Sequence, residues 1–283
     1  MNLKKKLFLV SSVLVLSLSL VACGGNKDEK INVVTREQGS GTRTAFTEIT
    51  GILAKDENGE EIDNTYEEAI VQNSTDAVMT TVAGDESAIG YISLGSLNDT
   101  VKALNVNGVV ASAEDIKDGS YEIARNFNIV YKDGISDEVE DFLKFMTSDI
   151  GQKIVAEEGY VGESSTGEYT PINNSASITI AGSTSVNPLM EKLVERYKKY
   201  NPDFNANIQA TGSSAGIKSV LDDSAELGMS SRELKDSEKD LNVEVVAIDG
   251  IAVIVNNNSK IDDLKLESIK DIFEGKIQNW TDL

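Results

Sequence analysis

Ile31-Asn32-Val33-Val34-Thr35-Arg36-Glu37-Gln38-Gly39-Ser40-Gly41-Thr42-Arg43 is followed by Thr44-Ala45-Phe46 and an apolar periodicity that reaches Ile52. Ile31 to Val34 reads as a short strand and Thr42 to Leu53 as a helix, so a glycine-flanked Ser/Thr pair falls where strand hands over to helix. The first turn of a helix has unpaired N–H groups and a partial positive charge, and glycine lets a ligand approach the backbone closely. Ser40 and Thr42 add hydroxyls. Arg36 and Arg43 add planar forks suited to a tetrahedral oxyanion. Taken alone, the stretch reads equally as a loop whose Ser40 caps a helix, and no Walker lysine follows its glycines.

Two more junctions repeat this chemistry. Gly182-Ser183-Thr184-Ser185 lies between a strand ending at Ala181 and a helix. Gly212-Ser213-Ser214-Ala215-Gly216 lies between a strand ending at Ala210 and another helix. If the three helix N-termini converge they enclose a small oxyanion; three unrelated caps are the alternative. Ser230-Ser231-Arg232-Glu233 offers a fourth loop. Between these junctions strands and helices alternate, with strands at 88–93, 127–131, 243–248 and 251–255, a helix at 137–146, and a surface loop at 55–63. That alternation predicts α/β layers.

Composition narrows the function. The chain has 283 residues, 40% of them hydrophobic, enough for one large or two modest domains. A formal net charge of −21 argues against nucleic acid as a partner. With no histidine and one cysteine, the sequence excludes Ser-His hydrolases, His-ligated zinc, intrachain disulfides and Cys-cluster metal sites. No cofactor and no catalytic group is predicted. The single cysteine ends an N-terminal pattern: Lys4 to Lys6, an apolar run from Leu7 to Leu20, then Val21-Ala22-Cys23. Residues 1–22 resemble a bacterial lipoprotein signal peptide. The resemblance implies cleavage before Cys23, a lipid (palmitate-type) anchor on its thiol, and a polar tether over 23–30. Residues 162–177, rich in Ser, Thr, Gly and Asn with Pro171, read as the one clear linker.

Together these motifs, with Asp249-Gly250-Ile251-Ala252-Val253 and Asn279-Trp280, resemble the phosphate-binding proteins of high-affinity phosphate ABC transporters. The resemblance implies an α/β, two-lobed type II periplasmic-binding-protein fold with inorganic phosphate between the lobes and an ABC transporter permease as partner. It places the protein on the outer face of the cell membrane. By motif position it implies Thr184, Ser185 and Ser213 as ligands from one lobe, and Arg36, Ser40, Gly41 and Thr42 from the other. Ser231 stands where some members have an aspartate that accepts a proton. Phosphate near neutral pH still carries a proton, so a pocket that prefers it over sulfate needs an acceptor. Asp249 is one candidate, with bracing the hinge or pairing with an arginine as its alternative role; Glu37 and Glu233 are the others.

The order of segments departs from the family. The part resembling its first half is residues 177–283, and the part resembling its second half is 31–170, an apparent circular permutation; a piece of a duplicated or misannotated gene is the rival account. The permuted reading assigns 87–161 and 178–250 to one lobe and 31–86 and 251–283 to the other, and predicts a monomer. Alternatives to a transport receptor are a phosphoryl-handling enzyme such as a phosphatase, and a surface sensor or adhesin.

Overall fold

The computed structural model describes residues 30–57 and 61–283. The predicted signal peptide, Cys23 and the tether before Lys30 lie outside the described residues. In chain order the elements are β1 (Asn32–Arg36), α1 (Gly41–Thr50), β2 (Leu53–Lys55), β3 (Glu61–Asp63), β4 (Ile70–Gln72), α2 (Thr75–Ala83), β5 (Ala88–Ser93), β6 (Val101–Ala103), β7 (Asn105–Val106), α3 (Ala113–Lys117) and β8 (Ala124–Tyr131). They continue with α4 (Asp137–Thr147), α5 (Asp149–Glu157), β9 (Val161–Gly162), β10 (Ser177–Gly182), α6 (Asn187–Tyr197), β11 (Asn205–Ala210), α7 (Ser213–Leu221), β12 (Leu227–Ser230), β13 (Asn242–Asn256), β14 (Asp263–Leu264) and α8 (Leu266–Phe273).

One strand ties the molecule together. The segment read from sequence as two strands, 243–248 and 251–255, is a single strand, β13, because Asp249 and Gly250 keep pairing with Arg125 and Ala124 instead of breaking the ladder. Asn242 to Gly250 pair antiparallel with β8, and Ile251 to Val255 pair with β5. The main sheet therefore runs β11-β10-β12-β8-β13-β5-β1-β4, and β13 passes from one hydrophobic core to the next. The first core gathers Phe127, Phe142, Phe145, Leu193 and Tyr197. The second gathers Val33, Phe46, Ile89, Tyr91, Ile251 and Phe273. Two α/β lobes result, because each core is covered by its own helices and only a few strands connect them.

Lobe membership departs from the sequence reading at 87–123, expected with 178–250. The all-buried strand β5 needs a partner on each edge. It finds β1 in parallel, Asn32 opposite Ala88, and the second half of β13. Leu104, Val106, Ile116, Tyr121 and Ile123 join the same core. Residues 87–123 thus pack with 30–86 and 251–283, and the chain changes lobe at Ile123–Arg125. A smaller departure is the expected loop at 55–63, where β2 and β3 form a hairpin with Lys55 opposite Glu61.

The segment between β9 and β10 has no regular structure, yet it is fastened down. The Tyr169 hydroxyl donates to the buried Asp141 carboxylate at 2.7 Å, and the Tyr197 hydroxyl to the same oxygen at 2.5 Å. Asn174 donates to the Tyr197 hydroxyl at 2.8 Å, and its N–H to Asn201 Oδ1 at 2.8 Å. Asp141→Ala leaves two tyrosine hydroxyls without an acceptor, so urea unfolding should show a loss of about 2–4 kcal/mol. An unchanged midpoint would mean that the segment is not held there. At the other end of the molecule, Ile31 N donates to Gln278 O at 2.7 Å, and Trp280 Nε1 to Ser87 O at 3.3 Å. Residues 31 and 278–280 are therefore neighbours.

Candidate anion site at the lobe junction

β1 delivers Arg36 to the inner edge of its lobe. Phe46 of α1 stacks on Tyr91 of β5, and the Tyr91 hydroxyl accepts from Arg36 N at 3.2 Å and bonds the Thr35 hydroxyl at 2.8 Å. The Arg36 guanidinium is almost fully buried. Nε donates to Glu37 Oε2 at 2.8 Å, and Nη2 to Glu37 Oε1 at 2.9 Å and to Thr184 Oγ1 of the opposite lobe at 3.1 Å. Ser40 caps α1, its Oγ accepting from Arg43 N at 3.3 Å. Gly41 and Thr42 form the first turn. Thr42 Oγ1 meets Ser185 Oγ at 2.8 Å across the junction, and Thr75, first residue of α2, meets the same oxygen at 3.2 Å.

The opposite wall is built by three strand ends. β10 stops at Gly182, whose φ of +143° and closeness to the Met229 backbone exclude a side chain. The turn it permits lays Ser183 Oγ within 2.9 Å of Ser231 Oγ. Ser213, at the start of α7, accepts from Ser231 N at 3.1 Å. Ser214 N donates to Gly39 O at 3.1 Å, a backbone bond between lobes. The N-termini of α1 and α7 and the turn before α6 are thus brought together, with Arg36, Ser40, Gly41, Thr42, Thr184, Ser185, Ser213 and Ser231 in one cluster. All but the half-buried Thr184 are buried.

Other charged residues of the motifs point elsewhere. Arg43 binds Asp63 through Nε at 3.1 Å and Nη2 at 2.7 Å, and donates to Arg36 O at 2.7 Å, so it braces the loop. Arg232 is held by Glu238. Glu37 belongs to Arg36, and Glu233 accepts from Asn126 at 3.1 Å. Asp249 is buried beside Arg125, Oδ2 to Nη2 3.2 Å, and accepts from Gly95 N at 3.3 Å. The same Nη2 donates to Thr42 Oγ1 at 3.1 Å, so Arg125 lies between Asp249 and the hydroxyls. Neither Arg125 nor Thr75 was expected from sequence. The signal for Arg125 was a cation in the period-2 register of Phe127 and Ile129, on a strand whose start the sequence reading sets three residues too late.

Burial pushes the Asp249 carboxyl up to about 6 against the opposing pull of Arg125. A raised carboxyl pKa means that the folded protein takes up a proton before the unfolded chain does. This group's stabilisation is therefore full below the unfolded value near 4 and is lost as pH rises through about 6. Between pH 7 and pH 5 the wild type should gain roughly 1 kcal/mol relative to Asp249→Asn, measured by urea unfolding at both values. Parallel pH dependences would contradict it.

Chemically, the cluster offers hydroxyls that donate or accept, helix N-terminal N–H groups and a fixed guanidinium, a set suited to holding an oxyanion. Among the described residues no group of three or more His, Cys, Asp or Glu is disposed to hold a metal.

The chain matches the family model described as the PBP superfamily domain over residues 17–149 and 167–283. It is 45% identical over 285 residues to "Phosphate-binding protein PstS 2" of Streptococcus pneumoniae serotype 4, spanning 98% of each chain. To the protein of the same name from Streptococcus agalactiae serotype V it is 48% identical over 256 residues, 89% of this chain and 87% of that one. The crystal structure of a phosphate ABC transporter phosphate-binding protein from Streptococcus pneumoniae TIGR4 is similar with a TM-score of 0.71 and 47% identity, over 89% of this chain and 99% of that one.

Proposed function

The chain belongs to the PBP superfamily and, within it, to the family of PstS phosphate-binding proteins, and from this premise we propose that it captures inorganic phosphate for an ABC transporter. It is a binding protein and not an enzyme. Phosphate sits between the lobes, held by Arg36, Ser40, Gly41 and Thr42 from one and by Thr184, Ser185, Ser213 and Ser231 from the other. The observation that carries this reading is the buried cluster itself, in which Arg36 reaches Thr184 and Thr42 reaches Ser185 across the junction. Such a cluster is costly unless its polar groups serve each other or a ligand.

The protein works outside the cell membrane, tied to it by a lipid on Cys23. Its segment order is that of a circular permutation, with residues 162–177 joining the former ends. Two observations support this, the contact of Ile31 with Gln278 and the fastened connecting segment, while relatives that align with the same order along most of their length speak against a gene fragment. Titration calorimetry of the purified protein with phosphate and sulfate, run beside an assay of phosphate-ester hydrolysis, tests the function. Tight, phosphate-selective binding without turnover is expected; turnover, or no phosphate binding, would overturn it.

A further inference from the structure

Four arginines stand around the lobe junction, and three are locked onto carboxylates, Arg43 through Nε and Nη2 to Asp63. Arg36 grips Glu37, and Arg232 grips Glu238 through Nη1 at 2.7 Å and Nη2 at 2.8 Å. Arg125 is held differently. Its side chain is 4% exposed, yet only Nη2 has a hydrogen-bond partner, the Thr42 hydroxyl of the other lobe. Nε and Nη1 are buried without one. Asp249 faces the same Nη2 in an ion pair that leaves its own Oδ2 without a hydrogen bond. A carboxylate present only to neutralise an arginine commonly takes the two-point geometry seen twice nearby. Buried donors left over from such a pair are costly.

Position strengthens the case. Arg125 and Asp249 are directly opposed on β8 and β13, where both strands leave one lobe for the other. From that root in the hinge, Arg125 touches Thr42, which bonds Ser185, the oxygen also reached by Thr75. Burial holds the Arg125 pKa below the ordinary arginine value; Asp249 opposes that effect and the nearby Arg36 adds to it. An anion bound beside both guanidiniums relieves their mutual repulsion.

We propose that Arg125 is a second guanidinium of the anion site, rooted in the hinge, which donates to the bound phosphate and links its presence to closure of the lobes through Thr42. This rests on the phosphate reading of the cleft and adds to it a residue and a coupling.

Phosphate titration of wild type, Asp249→Asn and Arg125→Gln/Asp249→Asn tests it. The double variant leaves no unpaired charge in the hinge, so a merely structural ion pair would be replaced without loss of affinity. The double variant is expected to bind at least about tenfold more weakly than wild type. Asp249→Asn alone removes a negative charge beside the anion and is expected to bind a few-fold more tightly. Arg125→Lys preserves charge and pairing but loses the planar fork, and it stands in should the double variant not fold; a several-fold loss is expected. Wild-type affinity in the double variant, or in Arg125→Lys if that is the one measured, overturns the proposal while leaving the phosphate reading intact. A wild type that binds no phosphate brings down the reading and this inference together.

Discussion

Arg36→Ala should weaken phosphate binding at least about tenfold, whereas Lys198→Ala, at the exposed residue that follows α6, should leave it unchanged. Charge-assisted hydrogen bonds from a buried guanidinium to a desolvated anion are worth about 1.5–3 kcal/mol each. Removing Arg36 also leaves the Glu37 carboxylate unpaired beside the anion, which adds repulsion to the lost donors. Calorimetric titration of the two variants decides this. Equal affinities would remove Arg36 from the site.

The second large effect is expected at Gly41. A Cβ there would lie 2.7 Å from Ser231 Oγ and 3.0 Å from the Ser231 backbone, and would overlap Ser213 Oγ as well. Gly41 opens α1, where alanine is at home, and its clashes all lie in the opposite lobe. Gly41→Ala should therefore leave each lobe folded while keeping the lobes from meeting. Overpacking of this kind costs about 3 kcal/mol, so phosphate affinity should fall by more than about a hundredfold. Wild-type affinity would show that the bound state does not bring α1 against Ser213 and Ser231.

The meeting of the three glycine-flanked junctions in this candidate site was legible from residue type. The glycine-flanked Ser/Thr junctions at 39–42, 182–185 and 212–216 mark strand-to-helix turns, since few other residues combine a close backbone approach with hydroxyl donors. Their meeting in space follows from α/β topology, which gathers strand ends on one side. What escaped was the long-range pairing. Asp249-Gly250 looks like a strand end because glycine and aspartate are poor strand formers, but β8 on one side carries β13 through it. The same misreading hid Arg125, which belongs to the ladder opposite Asp249. The placement of 87–123 failed for a related reason. β5 is buried throughout, and such a run does not say which sheet neighbours it will choose. Likewise Asp141, on the helix read at 137–146, is the acceptor that fastens Tyr169, a contact 28 residues along the chain.

The most direct measurement is a crystal structure of the protein grown with phosphate. The account predicts one tetrahedral anion between the lobes, in contact with Arg36, the first turn of α1, Thr184, Ser185 and Ser213, with Arg125 turned towards it from the hinge. A cavity of about 460 Å³ also lies at the mouth of the junction, lined by Arg43, Arg232 and Lys235 together with Glu48, Asp63 and Glu233. Phosphate lodged only there, with the hydroxyl cluster still bonded to itself, would contradict the account.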